Sequence, residues 1–437
     1  MDTGSGAAVR QGMEKRKGAR WLWAGWALAA GGCGWVAGLE HGYYVVPGGT
    51  SGEAGGGSGG AAGTGGSGTG GGAGAGGSGS GGAGGGDVCT PEGKQCVEQT
   101  CVDGKCVGEC GPEDVRCSEN RPQRCDGRGA WEDAEPCGAA APACDAGKCV
   151  PRSCVGLAET CGPDSNESCC ATGEAVPGGT FNRSNDAAYP ATVSGFLLDR
   201  FEVTVGRFRK FVEAYPGSKP AAGAGAHPLI AGSGWDAAWA SSLPADAAAL
   251  KLAVKCDSSY QTWTDAAGDR EHLPMNCLNW YMAFAFCAWD GGRLATEAEW
   301  NYAAAGGDEQ REYPWSAPAS TGTVDASHAV YDCTGDGSAS GECASSDIQA
   351  VGSRSPAGDG RWKQVDLAGN LREWVLDWYG NYSNQCNNCA NTASASSRVR
   401  RGGVFNRDAS DQLSSARGGI DPSHGAYGLG ARCARTP

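Results

Sequence analysis

Hydrophobic and polar positions form clear patterns in the second half of this 437-residue chain. The run Phe196–Thr204 predicts a strand. Phe208, Phe211, Val212 and Tyr215 follow it at the spacing that places side chains on one face of a helix. We therefore expect a strand that leads directly into an amphipathic helix.

Two further helices are predicted from their end signals as well as from their apolar faces. One begins at Asn279 and ends at Gly291, a residue type that commonly ends helices. Its apolar face consists of Trp280, Ala283, Phe284, Cys287 and Ala288. The other begins with the capping box Thr296–Glu299 and ends near Gly306. Beyond it, Gly, Asn, Ser and Asp dominate and long regular elements are not evident, so residues 171–437 predict a loop-rich α+β domain.

Residues 88–170 have a different pattern, because cysteines replace large apolar residues. A segment with so little apolar content needs crosslinks to stay folded, so we expect a small disulfide-rich module. Cys101–Cys110 recurs as Cys144–Cys154, and each copy predicts two short strands joined by a tight turn. The stretch contains no histidine and no paired CxxC motifs, so structural zinc is not expected.

The first 87 residues predict export and a tether. Residues 1–47 contain a basic segment, 14–20, and an uncharged run, Trp21–Leu39, which together indicate a signal peptide or a lipoprotein or membrane anchor. Cys33 lies in a loose lipoprotein cleavage box, but an unmodified cysteine in a discarded peptide is the alternative. Residues 48–87 are almost wholly Gly, Ser, Ala and Thr, which predicts a flexible, disordered linker.

Composition narrows the function. A net charge of −14 leaves no basic surplus to replace the counterions of phosphates, so no nucleic-acid partner is expected. The 23 cysteines are too many for a reducing cytosol and predict disulfides in an exported protein, either at the cell envelope or secreted. Contact with a membrane is expected only through the N-terminal segment.

Several motifs of the C-terminal part occur together in a recognisable order. They are Val176–Phe181, Leu198–Thr204, Pro274–Tyr281, Ala285–Ala304, Tyr313–Trp315, Asp366–Trp374, Arg400–Gly403 and Leu429–Arg435. In this order they resemble the formylglycine-generating enzyme, or sulfatase-modifying factor, family. The resemblance implies a C-type-lectin-like fold that is poor in regular secondary structure, and it covers nothing upstream of this domain.

The catalytic chemistry of that family is not carried over with the resemblance. Its enzymes bind copper through two cysteine thiolates that follow a Gly-Gly motif, which is Gly402-Gly403 in this chain. With dioxygen they oxidise a sulfatase cysteine to formylglycine. Soft thiolates are the ligands that Cu(I) requires. Residues 402–417 contain no cysteine, and the positions of the pair fall near Arg407 and Gln412. Copper is therefore not expected, and the catalytic residues, if any, are unknown.

The motif Cys386–Cys389 offers a possible substitute for the missing thiolates. A CxxC motif can hold a metal or exchange electrons, whereas in an exported protein it can also be a small-loop disulfide. Because it precedes the Gly-Gly motif, it is not the family's copper site displaced along the chain. The three interpretations stay open at the level of sequence.

The resemblance also implies a structural calcium site and one long-range disulfide. The calcium ligands would be Asp366, Gly369, Leu371 and Glu373, which supply the oxygen atoms that Ca²⁺ prefers; a hydrogen-bonded carboxylate pair is the alternative. The family joins the positions of Cys287 and Cys433. The other cysteines of the domain are expected to pair locally, as Cys256–Cys277, Cys333–Cys343 and Cys386–Cys389.

These observations favour a non-catalytic binding or scaffold domain; the alternative is a formylglycine-generating or other oxidase with a non-standard site. The expected groove consists of Asn406, Arg407, Ser414, Ser415 and Arg417. Guanidinium and hydroxyl donors without a thiolate suit a polar or anionic ligand, such as a glycan or part of an exported protein. Arg417 could instead pair with an acidic neighbour such as Asp421.

Overall fold

The computed structural model describes residues 99–103, 105–320 and 322–437. The predicted signal peptide or anchor (1–47), the linker (48–87) and the first residues of the Cys-rich module (88–98) lie outside the described residues. Within the described part of the chain, none of the helices has the length and apolar character needed to cross a membrane.

The Cys-rich module is built from short antiparallel hairpins. Its strands are β1 (Thr100–Val102), β2 (Lys105–Val107), β3 (Val115–Ser118), β4 (Arg121–Cys125), β5 (Trp131–Asp133), β6 (Ala143–Asp145), β7 (Lys148–Val150), β8 (Glu159–Cys161) and β9 (Glu167–Ser168). The repeat forms the two predicted hairpins, with Cys101 opposite Cys106 and Cys144 opposite Cys149. Disulfides connect the hairpins: Cys110–Cys125, Cys117–Cys144, Cys137–Cys149, Cys154–Cys170 and Cys161–Cys169.

The C-terminal domain mixes helices and strands. The helices are α1 (Val205–Glu213), α2 (Ala247–Ala253), α3 (Trp280–Trp289) and α4 (Glu297–Ala304). The strands are β10 (Gly179–Asn182), β11 (Pro190–Val193), β12 (Leu197–Leu198), β13 (Arg293–Leu294), β14 (Arg372–Trp378), β15 (Cys386–Asn387), β16 (Arg398–Arg401), β17 (Arg417–Ile420), β18 (Leu429–Gly430) and β19 (Cys433–Arg435).

The strands of this domain form three small sheets, with strand orders β17-β16-β14-β18, β10-β11-β15 and β12-β19-β13. In the largest, β14 pairs antiparallel with β16, and Glu373 lies opposite Arg401. β16 in turn pairs with β17, where Arg401 lies opposite Arg417. This register brings two arginines to neighbouring positions, which matters for the site described below.

The predicted helices are confirmed as α1, α3 and α4. Thr204, Asn279 and Thr296 cap them, and each side chain accepts a hydrogen bond from a backbone N–H of the first turn. The capping box of Thr296 and Glu299 is complete. α2, capped by Asp246, was not predicted.

Two expectations about strands are corrected by the structure. The predicted strand Phe196–Thr204 is reduced to β12, because its partner β19 pairs with only Leu197 and Leu198. Conversely, the part of the chain after Gly306 contains the seven-residue β14. The sequence did not reveal β14 because residues on both of its faces are buried, so polar and apolar positions do not alternate.

The core of the domain lies between the helices and the sheets. Phe208 of α1 stacks on Phe286 of α3 with ring centroids 5.8 Å apart, and Trp280 donates its indole N–H to the carbonyl of Val375 on β14. The disulfide Cys161–Cys169 packs among the buried apolar side chains of the C-terminal domain. The last part of the Cys-rich module therefore shares a core with that domain.

Each disulfide expected in the C-terminal domain is present. Cys287 on α3 is joined to Cys433 on β19, 146 residues away. The local pairs are Cys256–Cys277, Cys333–Cys343 and Cys386–Cys389. The CxxC motif is therefore a disulfide in this structure.

Candidate functional site

A cleft of about 380 Å³ opens where the loop before β11, the loop after β14 and the start of β17 meet. Its lining is polar and aromatic: Ser184, Asp186, Tyr189, Asn381, Tyr382, Ser415 and Arg417. The volume lies at the lower end of the range for small-ligand sites, and the lining is more polar than is usual for them.

Beneath the cleft lies an ionic cluster, which we call the cleft cluster: Glu297, Tyr382, Arg401 and Arg417. Arg417 donates from Nε and Nη2 to the two oxygens of Glu297, at 2.6 and 2.8 Å. Arg401 lies 2.9 Å from the same carboxylate, and the Tyr382 hydroxyl donates to it over 3.1 Å. Two arginines therefore share one carboxylate.

Local structure explains why Glu297 can occupy this position. It is the first residue of α4, directly after the N-cap Thr296, where the helix dipole favours a negative charge. Its backbone N–H donates to Asp377 on β14 over 2.7 Å. The start of the helix is thus fixed against the sheet that carries both arginines.

The charges of the cleft cluster are mutually stabilised. Burial alone would raise the pKa of Glu297, but Arg401 and Arg417 hold it below its ordinary value. Burial would lower the pKa of Arg417, but its hydrogen bonds to Glu297 raise it above the usual value. Burial and the neighbouring Glu297 raise the pKa of Asp377 to about 7. Asp377 is therefore only partly ionised near neutral pH, and within the cleft cluster two arginines outnumber the one carboxylate of Glu297.

Tyr382 stands between two guanidinium groups at the wall of the cleft. Arg417 lies 4.3 Å and Arg183 4.5 Å from the centroid of its ring. Tyr189 packs on the same ring with centroids 5.2 Å apart. Cation–π contacts of this kind hold an aromatic wall in place.

Of the predicted groove residues, the structure brings only Ser415 and Arg417 into the cleft. Asn406 donates to the hydroxyl of Tyr427 instead, and Arg407 is exposed on another part of the segment. Ser414 is fully buried, and its hydroxyl donates to the carbonyl of Ala304. These three residues do not line the cleft.

The structure also shows the surroundings of Gln412 and the partner of Arg417. Gln412, at the position expected for a thiolate, is buried and donates to backbone carbonyls. Arg417 pairs with Glu297 and not with Asp421, whose carboxylate accepts from Ser423. Sequence reasoning missed Glu297 and Tyr382. Glu297 had a usable signal, because it stands in a helix-start motif with a second acidic residue.

The predicted calcium ligands lie in a second buried region. Glu373 is paired with Arg432 and accepts from the indole N–H of Trp300 over 2.7 Å. Asp366 accepts from the backbone N–H of Gly352 over 2.6 Å. Among residues 99–103, 105–320 and 322–437, no group of three or more His, Cys, Asp or Glu side chains is arranged to hold a metal ion.

Glu202 was not predicted for this region, and it adds a third carboxylate. It accepts from the Leu371 backbone N–H and from the Asn370 side chain. Burial, followed by the nearby charges of Asp366 and Glu373, raises its pKa well above the ordinary value. Burial likewise raises the pKa of Asp366 to about 6. Three carboxylates thus lie near Arg432 in this part of the described structure, and the charge of Arg354 also acts on Asp366.

Comparison with known proteins identifies relatives of the C-terminal part. The model of the sulfatase-modifying factor enzyme 1-like domain matches residues 161–437. The chain is 27% identical to the formylglycine-generating enzyme of Mus musculus over 290 residues, 59% of this chain and 73% of that protein. It is 28% identical to the formylglycine-generating enzyme of Thermomonospora curvata over 296 residues, 60% of this chain and 93% of that protein. It is also 27% identical to the inactive C-alpha-formylglycine-generating enzyme 2 of Bos taurus over 289 residues, 59% of this chain and 86% of that protein.

Proposed function

Because the chain belongs to the sulfatase-modifying factor family, we propose that its C-terminal domain uses the family scaffold for ligand binding without oxidase chemistry. The site is the cleft at Arg417, and the ligand is polar or anionic. The observation that carries this proposal is the cleft cluster, where two arginines face one carboxylate beneath an open, polar cleft.

The cysteine inventory supports a non-catalytic role. The segment 402–417, where the family's thiolates would fall, contains no cysteine. Every cysteine that the structure describes after residue 171 is in a disulfide. Copper needs free thiolates in this chemistry. The name of the bovine relative, an inactive formylglycine-generating enzyme, provides a precedent for the family scaffold without that activity.

The chemistry of the cleft supports a polar ligand. Arg417 keeps a donor on Nη1 close to the cleft, where it also binds the carbonyl of Gly380 over 3.0 Å. Ser184 and Ser415 supply hydroxyls, and Tyr189 supplies a ring face. Arginine with hydroxyl and aromatic neighbours recognises carboxylates, sulfates and hydroxyl-rich groups.

Ligand screening with two variants tests the proposal. The full chain is screened against glycan and peptide arrays together with Arg417→Ala and Arg407→Ala. Arg407 is an exposed arginine of the same segment and serves as the matched control, because it lies outside the cleft. We expect Arg417→Ala to lose capture at least tenfold and Arg407→Ala to retain it. Equal loss in both variants would contradict a site in the cleft.

An activity assay tests the alternative, an oxidase with a non-standard site. The full chain is incubated with Cu(I), dioxygen and a peptide that carries the sulfatase motif, and the peptide is analysed by mass spectrometry. We expect the cysteine of the peptide to remain unmodified. Formation of formylglycine would overturn the non-catalytic proposal.

We also propose that calcium binds beside Asp366, with Gly369, Leu371 and Glu373 as the remaining ligands that the family resemblance implies. The excess of carboxylates over Arg432 supports a cation there, whereas the close pairing of Glu373 with Arg432 limits its availability. Calcium should raise the melting temperature, since a ligand that binds only the native state stabilises it. Asp366→Asn should lose most of that increase. An unchanged melting curve after EDTA treatment would contradict the site.

The proposed location is outside the cytoplasm. The many disulfides of the Cys-rich module and of the C-terminal domain support an oxidising compartment. The N-terminal segment would then direct export or anchor the chain, with residues 48–87 as the tether. Detection of the protein in the cytoplasm with free thiols would contradict this proposal.

A further inference from the structure

The disulfide Cys386–Cys389 differs from the others of the C-terminal domain in its loop size and its surroundings. It closes a CxxC loop, whereas Cys287–Cys433 spans 146 residues. Cys386 is only 6% exposed on β15, but Cys389 is half-buried at the end of the loop. Cys389 is therefore the more exposed of the two cysteines, although it packs against the core with part of its surface. Thiol–disulfide exchange requires access to one sulfur.

The loop is fixed to the neighbouring sheet, so its sulfur atoms have a defined environment. β15 pairs parallel with β11, and Asn388 accepts a hydrogen bond from the backbone N–H of Ser194 over 2.7 Å. Asn388 has a φ of 47°, in the left-handed region that asparagine tolerates better than most residues. The side chain of Asn388 thus holds the turn that carries Cys389.

A buried arginine faces Cys389. Arg183, only 4% exposed, places Nη1 3.8 Å from the Cys389 sulfur. Its other donors bind the backbone carbonyls of Tyr189 and Ser383. Within the described part of the chain, Arg183 forms no ion pair with a carboxylate closer than 4 Å, unlike the other arginines of the cleft region. A buried cation without an anionic partner is costly.

A thiolate at Cys389 would give Arg183 a direct anionic partner, in addition to the more distant charge of Glu297. A cation beside a cysteine sulfur favours the thiolate over the thiol. Disulfides whose reduced form is stabilised in this way are the better oxidants of other thiols. The surroundings of Cys389 therefore favour acceptance of electrons from a substrate.

We propose that Cys386–Cys389 is a thiol–disulfide exchange site that oxidises dithiols of other exported proteins. This inference is independent of the ligand-binding role proposed for the cleft. It also differs from the oxygen-dependent chemistry of the family relatives, because it uses neither copper nor dioxygen.

The exchange is balanced in atoms and electrons. A substrate thiolate attacks the Cys389 sulfur, the Cys386–Cys389 bond breaks, and Cys386 leaves as a thiolate that takes a proton from solvent. The second substrate thiolate then attacks the substrate sulfur of the mixed disulfide. Cys389 leaves as a thiolate beside Arg183. The substrate loses two electrons and two protons and gains a disulfide, and the protein disulfide gains the two electrons.

Redox titration of the full chain tests the proposal. The protein is equilibrated in glutathione buffers of increasing reducing strength, alkylated, and analysed by peptide mass spectrometry. We expect Cys386–Cys389 to be reduced in buffers that leave Cys287–Cys433 and Cys161–Cys169 intact. Reduction of Cys386–Cys389 only together with those pairs would overturn the proposal, because the disulfide would then be structural.

Variants of Arg183 sharpen the test. Arg183→Gln removes the charge, and the ratio [GSH]²/[GSSG] at half-reduction should rise about tenfold, the effect of one pKa unit on thiolate stability. Arg183→Lys keeps a cation and should restore most of the ease of reduction. An unchanged midpoint in Arg183→Gln would overturn the role of the arginine. If Arg183→Gln fails to fold, the selective reduction of Cys386–Cys389 in the unaltered chain and the peptide oxidation assay decide the proposal.

Direct oxidation of a substrate completes the test. The oxidised full chain is mixed with a reduced peptide dithiol, and one peptide disulfide should form for each Cys386–Cys389 pair that is reduced. The double variant Cys386→Ser/Cys389→Ser should form none. Equal peptide oxidation by the double variant would overturn the assignment of the reaction to this pair.

Discussion

Two of the clusters in which arginines of the C-terminal domain pair with buried carboxylates differ in charge balance and in access to solvent. In the first, which we call the closed cluster, Asp199, Arg207, Asp290 and Arg435 balance two positive and two negative charges. None of their side chains is more than 4% exposed. In the cleft cluster, the side chain of Arg417 is 19% exposed.

The closed cluster joins four elements of the fold. Arg207 on α1 lies 2.8 Å from Asp199 after β12 and 2.6 Å from Asp290 after α3. Arg435 on β19 binds the same two carboxylates. Burial alone would raise the pKa of Asp199, but Arg435 and Arg207 hold it below its ordinary value. All of these charges are used within the protein, so none remains for a ligand.

Charge balance and solvent access distinguish a structural cluster from one suited to binding, although both are built from arginines and carboxylates. A balanced cluster that excludes water fixes the packing of its elements, and removal of one member leaves a buried charge unpaired. The cleft cluster has an excess of arginine over carboxylate and one arginine that reaches solvent. A polar or anionic ligand can bind at this opening, because it would supply the negative charge that the cleft cluster lacks.

The largest expected loss of stability comes from removal of the disulfide that joins α3 to β19 beside the closed cluster. Cys287 precedes Asp290 near the end of α3, and Cys433 precedes Arg435 on β19. Replacement of both cysteines by serine should lower the free energy of unfolding by about 5 kcal/mol, according to the chain-entropy model for a loop of this size. Urea unfolding measures the change. A loss below about 1 kcal/mol would show that the closed cluster holds α3 and β19 together without the crosslink.

Arg207→Ala should be the most damaging single substitution in the comparison. It leaves Asp199 and Asp290 with only Arg435, and the loss of one partner from a buried ion pair costs about 3–5 kcal/mol. Lys255→Ala is the control, because Lys255 pairs with Asp265 at the surface and should cost less than about 1 kcal/mol. Equal losses in urea unfolding would contradict the structural role assigned to the closed cluster.

The sequence predicted those parts of the fold that depend on local signals. The ends of α3 and α4 were predictable because Asn279 and Thr296 cap their own helices within one turn. The cleft was not, because Ser184, Tyr382 and Arg417 are distant in sequence and meet only through the pairing of β16 with β17 and the loops beside it. Of the predicted groove, Ser415 and Arg417 lie in the cleft, and Arg417 pairs there with Glu297, which was not predicted.

A further buried ion pair, Glu299 with Arg293, should lose its stabilising effect in acid. On α4, Glu299 is 2.6 Å from each of two Arg293 nitrogens and 3.3 Å from His227. Burial would raise the pKa of Glu299, but Arg293 and His227 lower it to about 2. Since the pKa is lower in the folded state, this stabilisation is present above about pH 4.5 and is lost as the pH falls towards 2.

Glu299→Gln removes the titrating group and keeps the shape of the side chain. The variant should be less stable than the original by about 3 kcal/mol at pH 7, and the two should converge as the pH approaches 2. Urea unfolding at several pH values measures both. A constant difference between the two proteins from pH 7 to pH 2 would contradict the ion pair as its source.

Among the substitutions in the two clusters, Arg417→Ala should have the smallest effect on stability. Glu297 keeps Arg401 at 2.9 Å and the hydroxyl of Tyr382 at 3.1 Å, so its charge remains paired after the substitution. Water can also enter from the cleft and replace the lost hydrogen bonds, so the loss should be about 1.5 kcal/mol, the low end for hydrogen bonds to a charged group. Arg401→Ala, which removes the fully buried arginine, should cost several times more. If Arg417→Ala destabilised the protein as strongly as Arg207→Ala, the cleft cluster would be structural like the closed one, and loss of ligand capture in that variant would no longer locate a binding site.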